Sequence, residues 1–175
     1  FGEVFTPIPL VEEMLDKLDE YYIKEHHKSI FTEKDFKWLD PANGMGNFPI
    51  IVYLRLMKGL KTQIKNKKHR KKHILENMLY MSELNKKNIF ICKQIFDINN
   101  EYKLNLHNGD SLKLDTKKEW NVDKFDVIMG NPPYQSIDEN GERKAKNHDI
   151  YTKFMEVFFD KLDNNGFFVF ITPIS

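Results

Sequence analysis

A single cysteine, Cys92, stands among 175 residues. One thiol has no intramolecular partner, which excludes a disulfide framework and points to a reducing compartment, with the cytoplasm as the expected location. Long apolar runs are also lacking, since none approaches the roughly 20 residues that a membrane-spanning helix needs. The opening Phe1-Gly2-Glu3 has neither the basic nor the apolar stretch of a secretion signal, so export and membrane insertion are disfavoured. It has no initiator Met either, and a fragment boundary is expected there. An excess of one charge is missing as well. The 27 Lys and Arg meet 26 Asp and Glu for a formal net charge of +1. That excludes the domain-wide basic footprint of a self-sufficient nucleic-acid binder and leaves a local patch open. There is no internal repeat and no low-complexity linker. The 41% of hydrophobic residues suffices for one globular domain that buries roughly two thirds of its unfolded surface.

Helical and strand periodicities alternate along the chain. Thr6-Pro7 reads as an N-cap followed by Pro at the first helical position, and Leu10, Met14, Leu15 and Leu18 continue at helical spacing, which predicts a helix over 7–22. Phe36-Lys37-Trp38-Leu39 reads as a strand, followed by a helix with Ile50, Ile51, Leu54, Met57 and Ile64 on one face. Met78 to Met81, Leu104 to His107 and Phe125 to Met129 read as further strands, with an amphipathic helix over 86–96. Tyr151, Phe154, Met155, Phe158 and Leu162 form a last helical stripe that Asn165-Gly166 terminates, and Phe167 to Ile171 is a fifth strand. Strands that are continuously apolar and alternate with helices predict an α/β domain with a parallel sheet wound in the Rossmann manner.

In such a sheet, ligands bind at the carboxyl ends of the strands. Four strand ends stand out. Asp40-Pro41-Ala42-Asn43-Gly44-Met45-Gly46-Asn47-Phe48 has two glycines that allow close backbone approach, but Pro49 stands where a dinucleotide fingerprint has its third glycine. An ordinary strand-to-helix turn explains the glycines equally well. Asp40 is harder to explain that way, because a carboxylate there repels a pyrophosphate and suits a cation or a hydrogen-bond donor. Glu83 is placed to accept ribose hydroxyls, with helix initiation in Ser82-Glu83-Leu84-Asn85 as the plainer reading. Asp110, in Asn108-Gly109-Asp110-Ser111-Leu112, is placed to accept from an exocyclic amine or simply to form a turn. Asn131-Pro132-Pro133-Tyr134 is the most specific signal. Its prolines remove two backbone donors and stiffen the loop, which leaves carbonyls aimed at a ligand beside an amide and a ring.

In this order, Phe5-Thr6-Pro7, Asp40 to Gly46, Glu83, Asp110 and Asn131-Pro132-Pro133-Tyr134 resemble the S-adenosylmethionine-dependent DNA methyltransferases that modify the N6 amine of adenine. The resemblance is to the branch of type I modification subunits and fused restriction-methylation enzymes. It implies a Rossmann-like fold with a mostly parallel sheet. Residues 1–175 would form a partial catalytic domain, cut after its fifth strand and lacking the target-recognition region. It further implies that Phe5, Thr6, Pro7, Asp40, Ala42, Asn43, Gly44 and Gly46 cradle the methionine part of the cofactor. Glu83 would hold the ribose, and Asp110 with Ser111 and Leu112 the cofactor adenine. Asn131 and the carbonyl of Pro132 would accept from the target amine, with Pro133 stiffening the loop and Tyr134 stacking on a base flipped out of the duplex. Asn43, Met45 and Asn47 depart from the commonest pattern, so side-chain contacts there are open while the backbone cradle is not.

The implied partners are double-stranded DNA, chiefly through the absent recognition region, and a specificity or restriction subunit; by itself the fragment is expected to be inactive on DNA. Two rivals share the signature: a methyltransferase of protein glutamine amides, which uses the same four-residue motif, and a non-catalytic cofactor-binding subunit. Cys92 lies in a helical stripe rather than a Pro-Cys loop, which argues against thiolate chemistry on cytosine. His26-His27 has no matching ligands, so no metal site is expected. The run from Lys58 to His73, with eight Lys or Arg and no acid, reads as an extended helix end or surface insertion with a solvated face, phosphate contact being the minority reading. Gly141 to His148 reads as a mobile polar loop, with DNA contact again in the minority.

Overall fold

The computed structural model describes residues 6–132 and 147–171. Helix α1 (Ile8–His26) buries Val11, Leu15, Leu18 and Tyr22, a stripe at alternating spacings of four and three. It outruns the expected end at Tyr22 because that ring stacks on His26, 4.3 Å between centroids, before His27 turns left-handed (φ 61°) and closes the helix on Ile23. Its start is also corrected. Pro7 occupies the cap position and Thr6 makes no side-chain cap; the Pro7 carbonyl accepts from Leu10 and Val11 instead.

Strand β1 (Trp38–Asp40) is followed by α2 (Asn47–Gly59) and α3 (Lys67–Asn77), then by β2 (Leu79–Glu83), α4 (Lys86–Phe96) and β3 (Asn105–Asn108). Next come α5 (Thr116–Trp120), β4 (Phe125–Gly130), α6 (Asn147–Phe159) and β5 (Leu162–Phe170). The five strands form one sheet in the order β3-β2-β1-β4-β5, and every pairing is parallel. The expected parallel α/β class is thus observed. Side-chain alternation feeds two cores. Trp38, Met81, Val127 and Met129 face α1 to α4, while Leu39, Tyr80 and Ile128 face Phe154 and Phe158 of α6. No helix among the described residues is long and apolar enough to cross a membrane.

Several expected boundaries move. In α2 the buried face is Phe48, Pro49, Ile51, Val52 and Leu56; Leu54 is exposed and Ile64 lies beyond the helix. Of the basic run only Lys58 belongs to α2, so the reading as an extended helix end gives way to that of an insertion. It forms a turn and then a helix of its own, capped where the Asn66 side chain accepts from the His69 N–H at 2.9 Å. Leu162 opens β5 rather than closing α6. Phe125 pairs with Leu162 and Val127 with Phe167, so the residues between bulge out of the ladder, and Asn165-Gly166 supplies its turn inside the strand. The short α5, which the periodicity did not signal, is capped by Asp115, whose carboxylate accepts from the Lys118 N–H at 3.1 Å, and packs Trp120 against Tyr80 and Phe125. Asn147 and His148 belong to α6, while the rest of the expected polar loop lies outside the described residues.

Candidate cofactor and substrate cleft

The chain runs from β1 outward through β2 to β3, then returns to place β4 on the other side of β1. The two directions diverge between β1 and β4, which creates a topological switch point and a crevice above their carboxyl ends. Asp40 ends β1, and Asn131 follows the last residue of β4. A small cleft of about 40 Å³ opens there, lined by Thr6, Asp40, Ala42, Asn43, Gly44 and Asn131, together with Met45, Asn47 and Phe48.

The turn out of β1 brings the backbone around through two left-handed glycines, Gly44 (φ 57°) and Gly46 (φ 92°), and Gly46 starts α2 without any side-chain cap. Neighbouring strands pin this turn. The Asn43 N–H donates to the Ser82 carbonyl at 3.0 Å, and the Gly44 N–H donates to Glu83 Oε2 at 2.5 Å. Glu83 Oε1 accepts from the Asn85 N–H at 3.0 Å, so one carboxylate both starts the turn into α4 and braces the glycine loop. The Ser111 hydroxyl donates to the Pro41 carbonyl and lies 3.0 Å from the Ser82 hydroxyl. Asp110 caps its own short turn by accepting from the Leu112 N–H at 3.0 Å. These three residues sit at the ends of β2 and β3, beside the cleft rather than in its lining.

Asp40 is 1% exposed. Its Oδ1 accepts from the Ala42 N–H at 3.1 Å, and a Cβ on Gly130 would lie 2.6 Å from that same oxygen. Burial pushes the Asp40 carboxyl up to about 8; the Ala42 N–H opposes this and the nearby Glu83 charge adds to it. Asn43 Oδ1 is buried in the same turn with no hydrogen-bond partner among the described residues. The cleft floor is therefore rich in acceptors and, among the described residues, has no cation in its lining.

Sequence reasoning missed two supports. Asn47 Nδ2 donates to the Thr6 carbonyl at 2.6 Å, which ties the segment before α1 to the start of α2. Cys92 on α4 lies under the glycine turn: its sulfur accepts from Asn43 Nδ2 at 2.8 Å and its thiol donates to the Gly44 carbonyl at 3.7 Å. Burial pushes that thiol up to about 11, so it is not a nucleophile. The Asn47 side chain follows the second glycine and was visible as a polar residue at a helix start; the Cys92 contact joins positions 49 apart and left no local signal. Pro132 is buried next to Asn131, whereas Phe5, Pro133 and Tyr134 lie outside the described residues. Among the described residues no three His, Cys, Asp or Glu side chains converge as metal ligands.

A family model described as Eco57I restriction-modification methylase matches residues 50–175. An uncharacterized adenine-specific methylase of Mycoplasma pneumoniae is 28% identical over an alignment of 205 positions that takes in 79% of this chain and 47% of that protein. The chain thus spans about half the length of that curated relative. Among solved structures, the ATP-dependent Type ISP restriction-modification enzyme LlaBIII bound to DNA is similar with a TM-score of 0.72 and 23% identity, covering 97% of this chain and 15% of that one. The type I restriction enzyme EcoKI M protein is similar with a TM-score of 0.65 and 17% identity, covering 97% and 34%. At these identities the structural likeness concerns the fold. The family match spans well over half the sequence and takes in Asn131 of the cleft, the β1 turn lying ahead of it, and the chain belongs to the Eco57I restriction-modification methylase family.

Proposed function

We propose that this chain provides the cofactor-binding and catalytic part of an enzyme that transfers a methyl group from S-adenosylmethionine to the N6 amine of a flipped adenine in DNA. The observation that carries this reading is the meeting of Asp40 and Asn131 in one cleft at the β1/β4 switch point. The residues present fit the cofactor. Its methionine part brings an ammonium, and the cleft supplies a buried carboxylate with one backbone donor and an orphaned amide oxygen at Asn43. When bound, the cofactor supplies an electrophilic sulfonium methyl group.

The protein's part is binding and alignment. Asn43 accepts from the ammonium, and so does Asp40 once that cation has displaced the proton burial retains in the cofactor-free cleft; Gly44, where a Cβ would meet nothing within 4 Å, keeps the wall open, and Gly46 lets the turn sit on Cys92. A carboxylate can accept roughly four hydrogen bonds. Glu83 uses two in bracing the loop and Asp110 one in its cap, which leaves acceptors for the ribose hydroxyls and the cofactor's adenine amine. Asn131 and the Pro132 carbonyl accept the hydrogens of the target amine. That interaction localises the nitrogen lone pair, which the aromatic ring otherwise delocalises, and holds it in line for attack. Tyr134 stacks on the extruded base and offsets part of the few kcal/mol that unstacking costs. No covalent intermediate on the protein is needed. The reading includes double-stranded DNA and a restriction or specificity subunit as partners and a cytoplasmic setting. The name of the Mycoplasma relative, an adenine-specific methylase, supports adenine over a protein amide.

Asn131→Ala separates binding from turnover. Calorimetry with S-adenosylmethionine should give a dissociation constant within a few-fold of the parent, while methyl transfer by the full-length protein falls at least about 100-fold, the scale of losing a positioned transition-state hydrogen bond. Near-parental turnover would remove Asn131 from the reaction.

A further inference from the structure

The basic run that the cleft does not use forms a surface at the other end of the sheet. α3 ends at Asn77, just before β2 begins at Leu79. His73 Nε2 lies 2.7 Å from the carbonyl of Lys34, four residues ahead of β1, and the Lys71 ammonium sits 5.2 Å from the Tyr102 ring centre, three residues ahead of β3. All these contacts are at the amino ends of strands. β2, with five residues, places about 17 Å between that edge and the carboxyl end where the cleft lies.

The charge on this edge is only partly offset, by Glu76 on α3 itself and by Asp97 and Glu101 near Tyr102. Lys61, Lys65, Lys67, Lys68, His69 and Lys72 are exposed. Between Lys58 and His73 there are eight Lys or Arg and no acid, which leaves the rest of a near-neutral chain net acidic. None of these lysines forms a salt bridge among the described residues. Arg70, 6% exposed, points inward, and its Nε and Nη1 have no hydrogen-bond partner among the described residues, so its charge adds to the local field from a poorly screened position. Cations crowd the first turns of α3, where the helix dipole is positive and carboxylates are the stabilising choice. A segment that violates local electrostatics this consistently marks a surface built for an anionic partner.

We propose that the exposed lysine face of α3 and the turn before it binds the phosphate backbone of duplex DNA, outside the stretch that presents the target base. Phosphate contacts are made by Lys and Arg side chains on their own, whereas the core of a protein–protein interface is depleted in Lys and enriched in aromatic and apolar side chains. No large exposed hydrophobic side chain lies within residues 58–77. The phosphate contact stands independently of the methylation reading; only its placement away from the target base rests on it.

The test uses full-length protein and a fluorescent, adenine-free duplex of alternating dG and dC, which offers no methylation target, with binding followed by anisotropy across a salt series. The parent should bind with a steep salt dependence. A variant with Lys65, Lys67, Lys68 and Lys72 all changed to Gln should bind at least about tenfold more weakly, and its log–log salt slope should fall by about 3 to 4, near 0.9 for each phosphate no longer neutralised. The same four positions changed to Arg should keep parental affinity and slope. An unaltered slope in the Gln variant, equal weakening in the Arg variant, or tighter binding of polyglutamate than of the duplex would each overturn the proposal, the last in favour of an acidic protein partner.

Discussion

Asp40 is the residue whose protonation the fold controls most strongly. Its carboxyl, pushed up to about 8 by burial, keeps its proton in the native state at pH values where the unfolded chain, with an ordinary value of about 4, has released it. The sign follows directly: the native state binds more protons, so stability falls as pH rises between about 4 and about 8, and the loss is complete above that window. Urea titrations of the cofactor-free protein should show this decline, and Asp40→Asn should flatten it; a decline that persists unchanged in the variant would place its origin elsewhere. Gly130 serves the same carboxylate. At φ 141°, with a Cβ position 2.6 Å from Asp40 Oδ1, Gly130→Ala brings both backbone strain and a collision. We expect a loss of about 2 kcal/mol or more in thermal stability together with weaker cofactor binding. A variant that melts like the parent would show that the strand end relaxes freely.

At the scale of elements, the side chain of Asn105 joins α3 to the sheet. Its Nδ2 donates to the carbonyls of Leu75, Glu76 and Leu79 at 3.4, 3.0 and 3.1 Å, so one buried amide serves both the open carbonyl end of the helix and the start of β2. Asn105→Ala strands those acceptors and should cost about 1–3 kcal/mol in urea unfolding while leaving cofactor affinity of the folded protein unchanged. The same scale separates what sequence patterns reveal from what they conceal. Parallel strands and the loops at their ends were legible, because a short apolar run bounded by Asp-Pro or Gly-Asn-Pro has few alternatives, and the sheet rule then points to Asp40, Glu83, Asp110 and Asn131 together. Helix faces were less so: Leu54 fits the helical period by count yet faces solvent, since the α1 packing selects Val52 and Leu56 instead. Asn165-Gly166 has the chemistry of a terminator, but its outcome as a bulge is decided by pairing with β4, which local residues do not encode. The Asn43–Cys92 contact is tertiary for the same reason.

At the scale of the whole molecule, the two ends of one sheet carry different chemistry. The carboxyl edge gathers buried acceptors suited to a cationic cofactor and an amine substrate; the amino edge gathers lysines on α3 that form no salt bridge among the described residues. A near-zero net charge conceals this polarity, because the basic run offsets the acidity of the remaining chain. The reading of the carboxyl edge as a methyl-transfer site is tested most directly by product identity. Full-length protein is incubated with S-adenosylmethionine carrying a labelled methyl group, duplex DNA of mixed sequence and a glutamine-bearing protein substrate, and the DNA is digested to nucleosides. The account predicts label in N6-methyladenine, at least about 100-fold reduced by Asn131→Ala; label confined to protein glutamine, or an unchanged adenine signal in that variant, would contradict it.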